Sequence, residues 1–282
     1  MTPIVIGGRR IGPGEPTYII AEMSGNHGGN FDRAAEIVRA AKAVGADAVK
    51  LQTYTADTLT IDCDRDVFRI GQGTIWDGRT LYDLYREACT PWEWQPRLKQ
   101  VADEIGIQLF SSPFDDTAVE FLERMRVPAY KVASFEVVDW ELIEKIARTG
   151  KPMIISTGMA ALDEIREAVA VARGAGAKEI GLLKCTSAYP SPPEEMNLRA
   201  MTHLAEEFQV PIGLSDHTLG FAVPVAAVAM GACIIEKHFT LSREDPSPDR
   251  QFSLEPAEFR AMADAIRTVE KATGGVHFGV SA

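Results

Sequence analysis

Residues 18–52 read YIIAEMSGNHGGNFDRAAEIVRAAKAVGADAVKLQ. A β-branched apolar run at 18–21 precedes a stretch of helical periodicity over residues 31–44, and a second apolar run follows at 48–52. Short apolar runs bounded by turn residues indicate buried strands, whereas apolar residues spaced three and four apart indicate a helix. Two such strands joined by a helix predict a βαβ unit with parallel strands.

The same order of elements recurs along the rest of the chain. Six further strands are predicted, at 107–111, 129–133, 153–156, 180–184, 212–215 and 233–237. Helical patterns lie between or after them, at 117–125, 140–147, 162–174, 196–208, 221–230 and 256–272. Eight strands alternating with helices predict an α/β fold, the (β/α)8 TIM barrel, with a doubly wound open sheet as the alternative.

The length of 282 residues suits one barrel domain over residues 1–282, because single barrels of about 250 residues are common. Residues 1–15 predict an N-terminal hairpin that turns at Gly7-Gly8 and closes the barrel's N-terminal end. Residues 53–96 form a long insertion after the second barrel strand. Loops of this length are usually functional, and its many large aromatic residues argue against disorder, so we expect a lid over the open end.

The composition excludes several function classes. Forty acidic residues against 29 basic ones give a net charge of −11, which opposes binding to nucleic acid or to an anionic membrane surface. No apolar run approaches the ~20 residues of a membrane span and no secretory leader begins the sequence, so we expect a cytoplasmic protein. The four cysteines form no CxxC pair, and nucleotide-binding glycine motifs are absent.

Polar residues end every predicted strand, where a hydrophobic core would place apolar ones. In a TIM barrel the catalytic groups come from these carboxyl ends and the loops that follow them. Polar endings on all eight strands therefore predict an active site there. The endings include Glu22, Lys50, Gln52, Ser112, Lys131, Ser134, Glu136, Ser156, Ser187, Tyr189, Ser215, His217, Glu236 and His238.

Alternation along the last two strands predicts a metal site. Residues two apart share a face, so Ser215 with His217, and Glu236 with His238, are expected to face the lumen, and Lys237 the outer layer. The two histidines close neighbouring strands about 4.8 Å apart, which suits a pair of ligands for a divalent cation. Glu22 and Asp249 are candidate oxygen ligands, and two histidines alone do not choose between Mn, Fe, Co and Zn. His203 and His277 are interpreted as structural residues.

Cationic and hydroxyl side chains from several strands predict an anion site for a phosphate or carboxylate. They are Lys50, Lys131, Ser134, Ser156, Ser187 and Ser215. A buried lysine with a lowered pKa can also form a Schiff base, so an aldolase that uses Lys131 or Lys184 is an alternative. The predicted metal pair argues against it, because Schiff-base chemistry needs no metal.

The strand-end motifs resemble those of the sialic acid synthase family, whose members condense phosphoenolpyruvate with an open-chain amino sugar to a nine-carbon 2-keto acid. Within the family the insertion, over 73–85 and 90–94, is most similar to the pseudaminic acid synthases, with legionaminate and N-acetylneuraminate synthases as alternatives. The motifs that carry the resemblance are AEMSGNH at 21–27, AVKLQT at 48–53, SSPF at 111–114, PAYKVASFE at 128–136, ISTGM at 155–159, GLSDHTLG at 213–220 and EKHF at 236–239.

The resemblance implies a role for each candidate residue. His217 and His238 would bind Mn²⁺, Glu22 would lie near the metal and the reacting carbons, and Glu22 or Glu136 would move protons. Gln52, Glu136, Tyr189 and Asp249 would contact the sugar. The phosphate and carboxylate of phosphoenolpyruvate would be held by Lys50, Ser112, Lys131, Ser134, Ser156, Ser187 and Ser215.

The resemblance also implies a homodimer and a small antifreeze-like C-terminal domain, which residues 1–282 do not include. Ser247 stands where the family usually has glycine, and we expect it to restrict the loop that carries Asp249. A non-catalytic barrel that binds a sugar or a phosphate is the alternative from another functional class.

Overall fold

A computed structural model describes residues 1–71, 74–276 and 278. Eight parallel strands, β3 to β10, close into a barrel in chain order, with β10 pairing with β3. This confirms the TIM barrel and excludes the open sheet. The strands are β3 (Tyr18–Glu22), β4 (Ala48–Thr53), β5 (Gln108–Pro113), β6 (Tyr130–Val132), β7 (Met153–Ser156), β8 (Ile180–Cys185), β9 (Ile212–Asp216) and β10 (Ile234–His238).

Barrel strands are buried on both faces, which is why they read as continuous apolar runs in the sequence. Every residue of β3, β6, β7, β9 and β10 is buried. Six of the predicted strands continue one or two residues further than expected, so that polar residues such as Glu22 and His238 lie inside the sheet. The polar strand ends therefore belong to the barrel itself.

Helices cover the outside of the barrel. The helix predicted over 196–208 begins only at Ala200, because Asn197 has a left-handed φ of 45° that interrupts the helical path. The helices are α1 (Phe31–Ala43), α2 (Ala56–Leu59), α3 (Leu81–Ala88), α4 (Gln95–Ile105), α5 (Asp116–Arg124), α6 (Trp140–Arg148), α7 (Leu162–Gly174), α8 (Ala200–Phe208), α9 (Ala222–Ala229) and α10 (Pro256–Thr273). No described helix has the length and apolar character needed to cross a membrane.

An antiparallel hairpin covers the N-terminal end of the barrel. Its strands are β1 (Ile4–Ile6) and β2 (Arg9–Ile11). The turn places Gly7 and Gly8 at φ values of 57° and 83°, which a two-residue hairpin turn of this kind requires. The isoleucines of the hairpin are buried, and the Val5 amide donates to Glu179 at 2.7 Å, next to the start of β8.

The insertion over 53–96 lies at the carboxyl end of the barrel, where it contributes α2, α3 and a short 3-10 turn at Trp92–Trp94. The Trp92 indole donates to the Tyr54 carbonyl at 3.1 Å, and the Trp94 ring packs edge-on against His27, with ring centroids 5.6 Å apart. The first contact joins the two ends of the insertion to each other, and the second attaches its C-terminal end to the segment after β3. Gly73, which belongs to the motif of the insertion, and His277 fall outside the described residues.

Candidate active site

Four buried charged side chains meet in the lumen at the carboxyl end. Lys50 on β4 forms an ion pair with Glu22 on β3. The Lys50 and Lys131 ammonium groups lie 3.9 and 3.7 Å from the Glu236 carboxylate on β10. All four side chains are almost fully buried, and buried charges of this kind persist only when they are paired. Two cations are thus balanced by two carboxylates.

Burial and pairing act on these groups in opposite directions. Burial would lower the pKa of Lys50, but the carboxylates of Glu22 and Glu236 outweigh it and raise that pKa. Burial raises the pKa of Glu22 to about 7, against the lowering effect of Lys50. For Glu236 burial is outweighed by Lys131 and Lys50, which lower its pKa. Glu22 is therefore the carboxyl group of this cluster that can change its protonation near neutral pH.

Serine hydroxyls surround the two lysines. Lys50 donates to Ser112 at 3.3 Å, and Ser215 donates to Glu236 at 3.0 Å. The hydroxyl oxygens of Ser156 and Ser187 are buried and have no hydrogen-bond partner among the described residues. Buried hydroxyls are normally paired, so unpaired ones at the same end of the barrel as two buried cations indicate a site for the oxygens of an anion.

Gly158 keeps this hydroxyl cluster open. A Cβ atom at position 158 would overlap the Ser187 hydroxyl oxygen and lie 2.7 Å from that of Ser134. Because glycine has no side chain, both hydroxyls can lie against the backbone that follows β7. The sequence motif ISTGM at 155–159 thus supplies both a hydroxyl and the space beside it.

His217 and His238 lie side by side, with ring centroids 5.4 Å apart, and both are buried. Nδ1 of His217 is 3.0 Å from the Thr186 carbonyl oxygen, which can only accept, so this nitrogen carries the proton and Nε2 is free to bind a cation. Nδ1 of His238 is buried without a partner among the described residues. This donor set fits two ligand positions of a divalent cation.

The two expected oxygen ligands are held by other groups. Glu22 is paired with Lys50, and the Asp249 carboxylate accepts the Gly25 amide at 3.0 Å. Within the described ranges no three or more His, Cys, Asp or Glu side chains are grouped so that they could hold a metal ion. A cation at the histidine pair would therefore take its remaining ligands from substrate or water.

Aromatic rings form a wall beside the histidines. The Tyr189 ring lies 4.3 Å from the His217 ring and 5.3 Å from Phe252, between centroids. Trp76 of the insertion lies 5.8 Å from Tyr189. Its indole also donates to the Pro248 carbonyl at 2.9 Å, next to Asp249. The insertion thus reaches the same side of the barrel mouth as the histidine pair.

The loop that carries Asp249 is tied to the segment after β3. Ser247 donates to the Asn26 side chain at 2.8 Å, and Asn26 in turn donates to Ser253 at 2.8 Å. Nearby, Ser24 donates to Gln52 at 3.3 Å, which places the Gln52 amide at the end of β4 beside the same segment. The Ser247 hydroxyl therefore links this loop to the segment after β3.

Glu136 lies on a 3-10 turn, Phe135–Val138, that follows β6. Its Oε2 atom is buried without a hydrogen-bond partner among the described residues, and burial raises the pKa of this carboxyl group to about 7. A carboxyl group with a pKa near neutrality is suited to moving protons.

Sequence reasoning assigned no role to Glu236 and Cys185. Alternation did place Glu236 on the lumen face with His238, which is the signal that could have identified it. The Cys185 thiol lies 3.8 Å from Nδ1 of His217.

Lys184, a candidate for Schiff-base chemistry, is half-buried and donates to the Cys185 carbonyl at 2.6 Å and to the Thr186 hydroxyl at 3.3 Å.

The chain belongs to the NeuB family, whose sequence model matches residues 37–278. It is 47% identical over 257 residues to a pseudaminic acid synthase of Campylobacter jejuni, covering 91% of this chain and 75% of that protein. It is 39% identical over 261 residues to an N,N'-diacetyllegionaminic acid synthase of Legionella pneumophila, covering 91% and 73%.

A solved structure shows the same fold. The N-acetylneuraminic acid synthetase from Leptospira borgpetersenii, in complex with citrate, superimposes with a TM-score of 0.90 at 30% identity, covering 100% of this chain and 93% of that one. The resemblance to the sialic acid synthase family is thus confirmed, and membership of this family favours a phosphoenolpyruvate-dependent synthase over the Schiff-base aldolase. The higher identity to the pseudaminic acid synthase agrees with the resemblance of the insertion.

Proposed function

We propose that the protein is a pseudaminic acid synthase. It would condense phosphoenolpyruvate with the open-chain aldehyde form of 2,4-diacetamido-2,4,6-trideoxy-altrose to a nine-carbon 2-keto acid and release phosphate. The observation that carries the proposal is the pair of buried hydroxyls, Ser156 and Ser187, which have no partner among the described residues and lie at the same end of the barrel as two buried lysines. The 47% identity to a pseudaminic acid synthase supports the choice of sugar.

The anion site formed by the lysines and serines would hold the phosphate and carboxylate of phosphoenolpyruvate. Lys50 and Lys131 supply charge, and Ser112, Ser134, Ser156, Ser187 and Ser215 supply hydroxyl donors. Since Lys50 is already paired with Glu22, an incoming anion would compete for that ammonium group. The loss of a neighbouring cation would raise the pKa of Glu22 further, so substrate binding would favour its protonated form.

We propose that His217 and His238 hold Mn²⁺. The metal, when bound, acts as a Lewis acid that draws charge onto the aldehyde oxygen of the sugar. The chain fixes the His217 imidazole, because the Thr186 carbonyl orients this ring and the Tyr189 ring packs against it. Tyr189, Gln52 and Asp249 would contact the sugar from the side of the barrel mouth that the insertion covers.

The reaction needs three proton movements. The methylene carbon of phosphoenolpyruvate attacks the aldehyde carbon, forming the new C–C bond, and the positive charge left at the carbon that bears the phosphate oxygen is trapped by water. Glu136 would accept the proton of that water, and Glu22 would give its proton to the former aldehyde oxygen. The hydroxyl of the tetrahedral adduct then loses its proton to the departing phosphate as the C=O double bond forms and the C–O bond to phosphate breaks. Holding both substrates and the water in register can supply about 7–11 kcal/mol of the barrier.

We also propose that the protein forms a homodimer and is located in the cytoplasm. The loops at the carboxyl end expose Phe135, Trp140, Met159 and Leu219, apolar side chains that a partner surface could cover. Light scattering on the purified protein would measure the oligomeric state directly, and a monomer at micromolar concentration would contradict the dimer.

The substrate assignment is tested by measuring phosphate release. The protein is incubated with Mn²⁺, phosphoenolpyruvate and either the diacetamido-trideoxy-altrose, the legionaminate precursor or N-acetylmannosamine. We expect the altrose derivative to give the highest kcat/KM. Binding of phosphoenolpyruvate and Mn²⁺ with no phosphate release from any sugar would contradict the proposal and favour a non-catalytic barrel.

A further inference from the structure

An ion pair lies on the outer face of the barrel, behind the histidine pair. Lys237 on β10 donates to the Asp216 carboxylate on β9 at 2.5 Å, and both side chains are completely buried. Lys237 also donates to the Thr218 carbonyl oxygen. The two residues are direct partners in the strand register. None of the reaction steps above uses them.

The position of this pair relates it to the metal site. Asp216 immediately precedes His217, and Lys237 immediately precedes His238. Since neighbouring residues of a strand point to opposite faces, the outward ion pair and the inward histidines share the same two strand ends.

The carboxylate also clamps the turn after His217. Asp216 accepts the Thr218 hydroxyl at 2.9 Å and the Thr218 amide at 3.3 Å, so the backbone on both sides of His217 is held by one side chain. Lys237 joins this turn to β10 through its bonds to Asp216 and Thr218. Hydrogen bonds among these three residues therefore connect the end of β9 to β10.

Stability alone does not explain a fully buried ion pair. Both groups lose their hydration, a cost that can exceed the attraction between the two charges. Apolar side chains of similar volume often serve the fold equally well at such positions. What an apolar pair lacks is the directional link between the two strand ends.

We propose that Lys237 and Asp216 are positioning residues that set the spacing of His217 and His238 for a divalent cation. The inference rests on the proposed metal site at the two histidines. The ion pair touches neither the cation nor the substrates and acts through the backbone of the ligands. Groups that orient metal ligands in this way typically change metal affinity by 10- to 100-fold when they are replaced.

The test replaces both charges together, as Lys237→Met with Asp216→Leu, so that no unpaired charge is left buried. Mn²⁺ affinity is measured by electron paramagnetic resonance, phosphoenolpyruvate affinity without metal by calorimetry, and folding by thermal melting. We expect the Kd for Mn²⁺ to rise at least tenfold. The affinity for phosphoenolpyruvate and the melting temperature should stay close to those of the wild type.

A control removes another ion pair of the same length, which is partly exposed. Lys151, just before β7, and Glu123, near the end of α5, are 2.5 Å apart at the opposite end of the barrel. Lys151→Met with Glu123→Leu should leave the Kd for Mn²⁺ unchanged. A rise of fivefold or more in the Lys237 and Asp216 variant alone supports the inference, whereas a smaller rise, or an equal one in the control, overturns it.

Two further variants keep the outcome decisive. If the double variant does not fold, Asp216→Asn keeps the shape of the side chain but removes its charge and one of its two acceptor oxygens. A threefold or greater rise in its Kd for Mn²⁺ supports the inference, and a smaller one overturns it. His217→Ala separates the two proposals: undiminished Mn²⁺ affinity in that variant would overturn the metal site and the inference together.

Discussion

Lys50 and Glu22 form an ion pair inside the barrel, with side chains that are only 3% and 1% exposed. The same ammonium group also reaches the Ser112 hydroxyl, at the edge of the proposed anion site. A substrate anion would therefore enter a site whose cation already has a carboxylate partner.

Replacing Lys50 by methionine should weaken phosphoenolpyruvate binding about 100-fold, because a charge-assisted hydrogen bond to a buried anion contributes about 1.5–3 kcal/mol. Calorimetry without metal measures the effect. Lys184→Met is the control, because Lys184 donates to backbone and hydroxyl groups of its own loop. Equal losses in the two variants would show that Lys50 has no special place in the anion site.

Gly158→Ala should lower phosphoenolpyruvate affinity at least tenfold while the protein stays folded. The added methyl group would displace the hydroxyls of Ser134 and Ser187, which can rotate away, so the strain falls on the site rather than on the backbone. Gly174→Ala is the matched control, because a Cβ atom there meets no described atom within 4 Å. Unchanged affinity in Gly158→Ala would mean that the anion does not use this hydroxyl cluster.

The pH dependence of catalysis should report Glu136. Burial raises the pKa of this carboxyl group to about 7. If Glu136 accepts a proton from water it must be ionised, so kcat should rise with pH through about 7. It should fall again at higher pH, where Glu22 loses the proton that it gives to the aldehyde oxygen. Glu136→Gln should lower kcat by about 10²- to 10⁴-fold and remove the rising limb. Glu141→Gln, at an exposed position, serves as the control. A rise of kcat with pH that persists in Glu136→Gln would exclude Glu136 as the base.

The stability of the fold should depend on pH through His27. Burial lowers the pKa of His27 to about 4, below the value of 6.5 for a free histidine. The unfolded chain therefore binds the proton first as pH falls. The free energy of unfolding should be constant above pH 6.5 with respect to this group and fall by up to about 3 kcal/mol between pH 6.5 and 4.

Denaturant titration across this pH range measures the effect. His27→Asn keeps an acceptor for the Gly29 amide, which His27 binds through Nδ1, and should flatten the slope. Replacement of His203, an exposed residue on α8, is the control. A variant at His27 that keeps the full slope would assign the acid sensitivity to other groups.

The barrel could be predicted because its strands are buried on both faces and its helices on one, which gives two distinct apolar periodicities. Apolar periodicity predicted less well the residues at which strands and helices begin and end. Glu22 and His238 continue the strand hydrogen bonding although they are polar, and Asn197 delays α8 through its backbone conformation. Neither effect has a signal in apolar periodicity.

Alternation also placed most candidate side chains correctly on one face, but it could not reveal their pairing. Lys50 and Glu22 come from different strands, so their contact depends on strand register in the closed barrel. The same limit applies to Glu236, whose role as the carboxylate beside Lys131 follows only from the closure of β10 onto the other strands.

The central claim, condensation with cleavage of the C–O bond, is tested most directly by an isotope label. Phosphoenolpyruvate carrying ¹⁸O in the bridging enol oxygen is converted with Mn²⁺ and the diacetamido-trideoxy-altrose, and both products are analysed by mass spectrometry. We predict that the released phosphate carries the ¹⁸O and that the nine-carbon keto acid takes its new oxygen from water. Recovery of the label in the keto acid, with unlabelled phosphate, would contradict the proposed reaction.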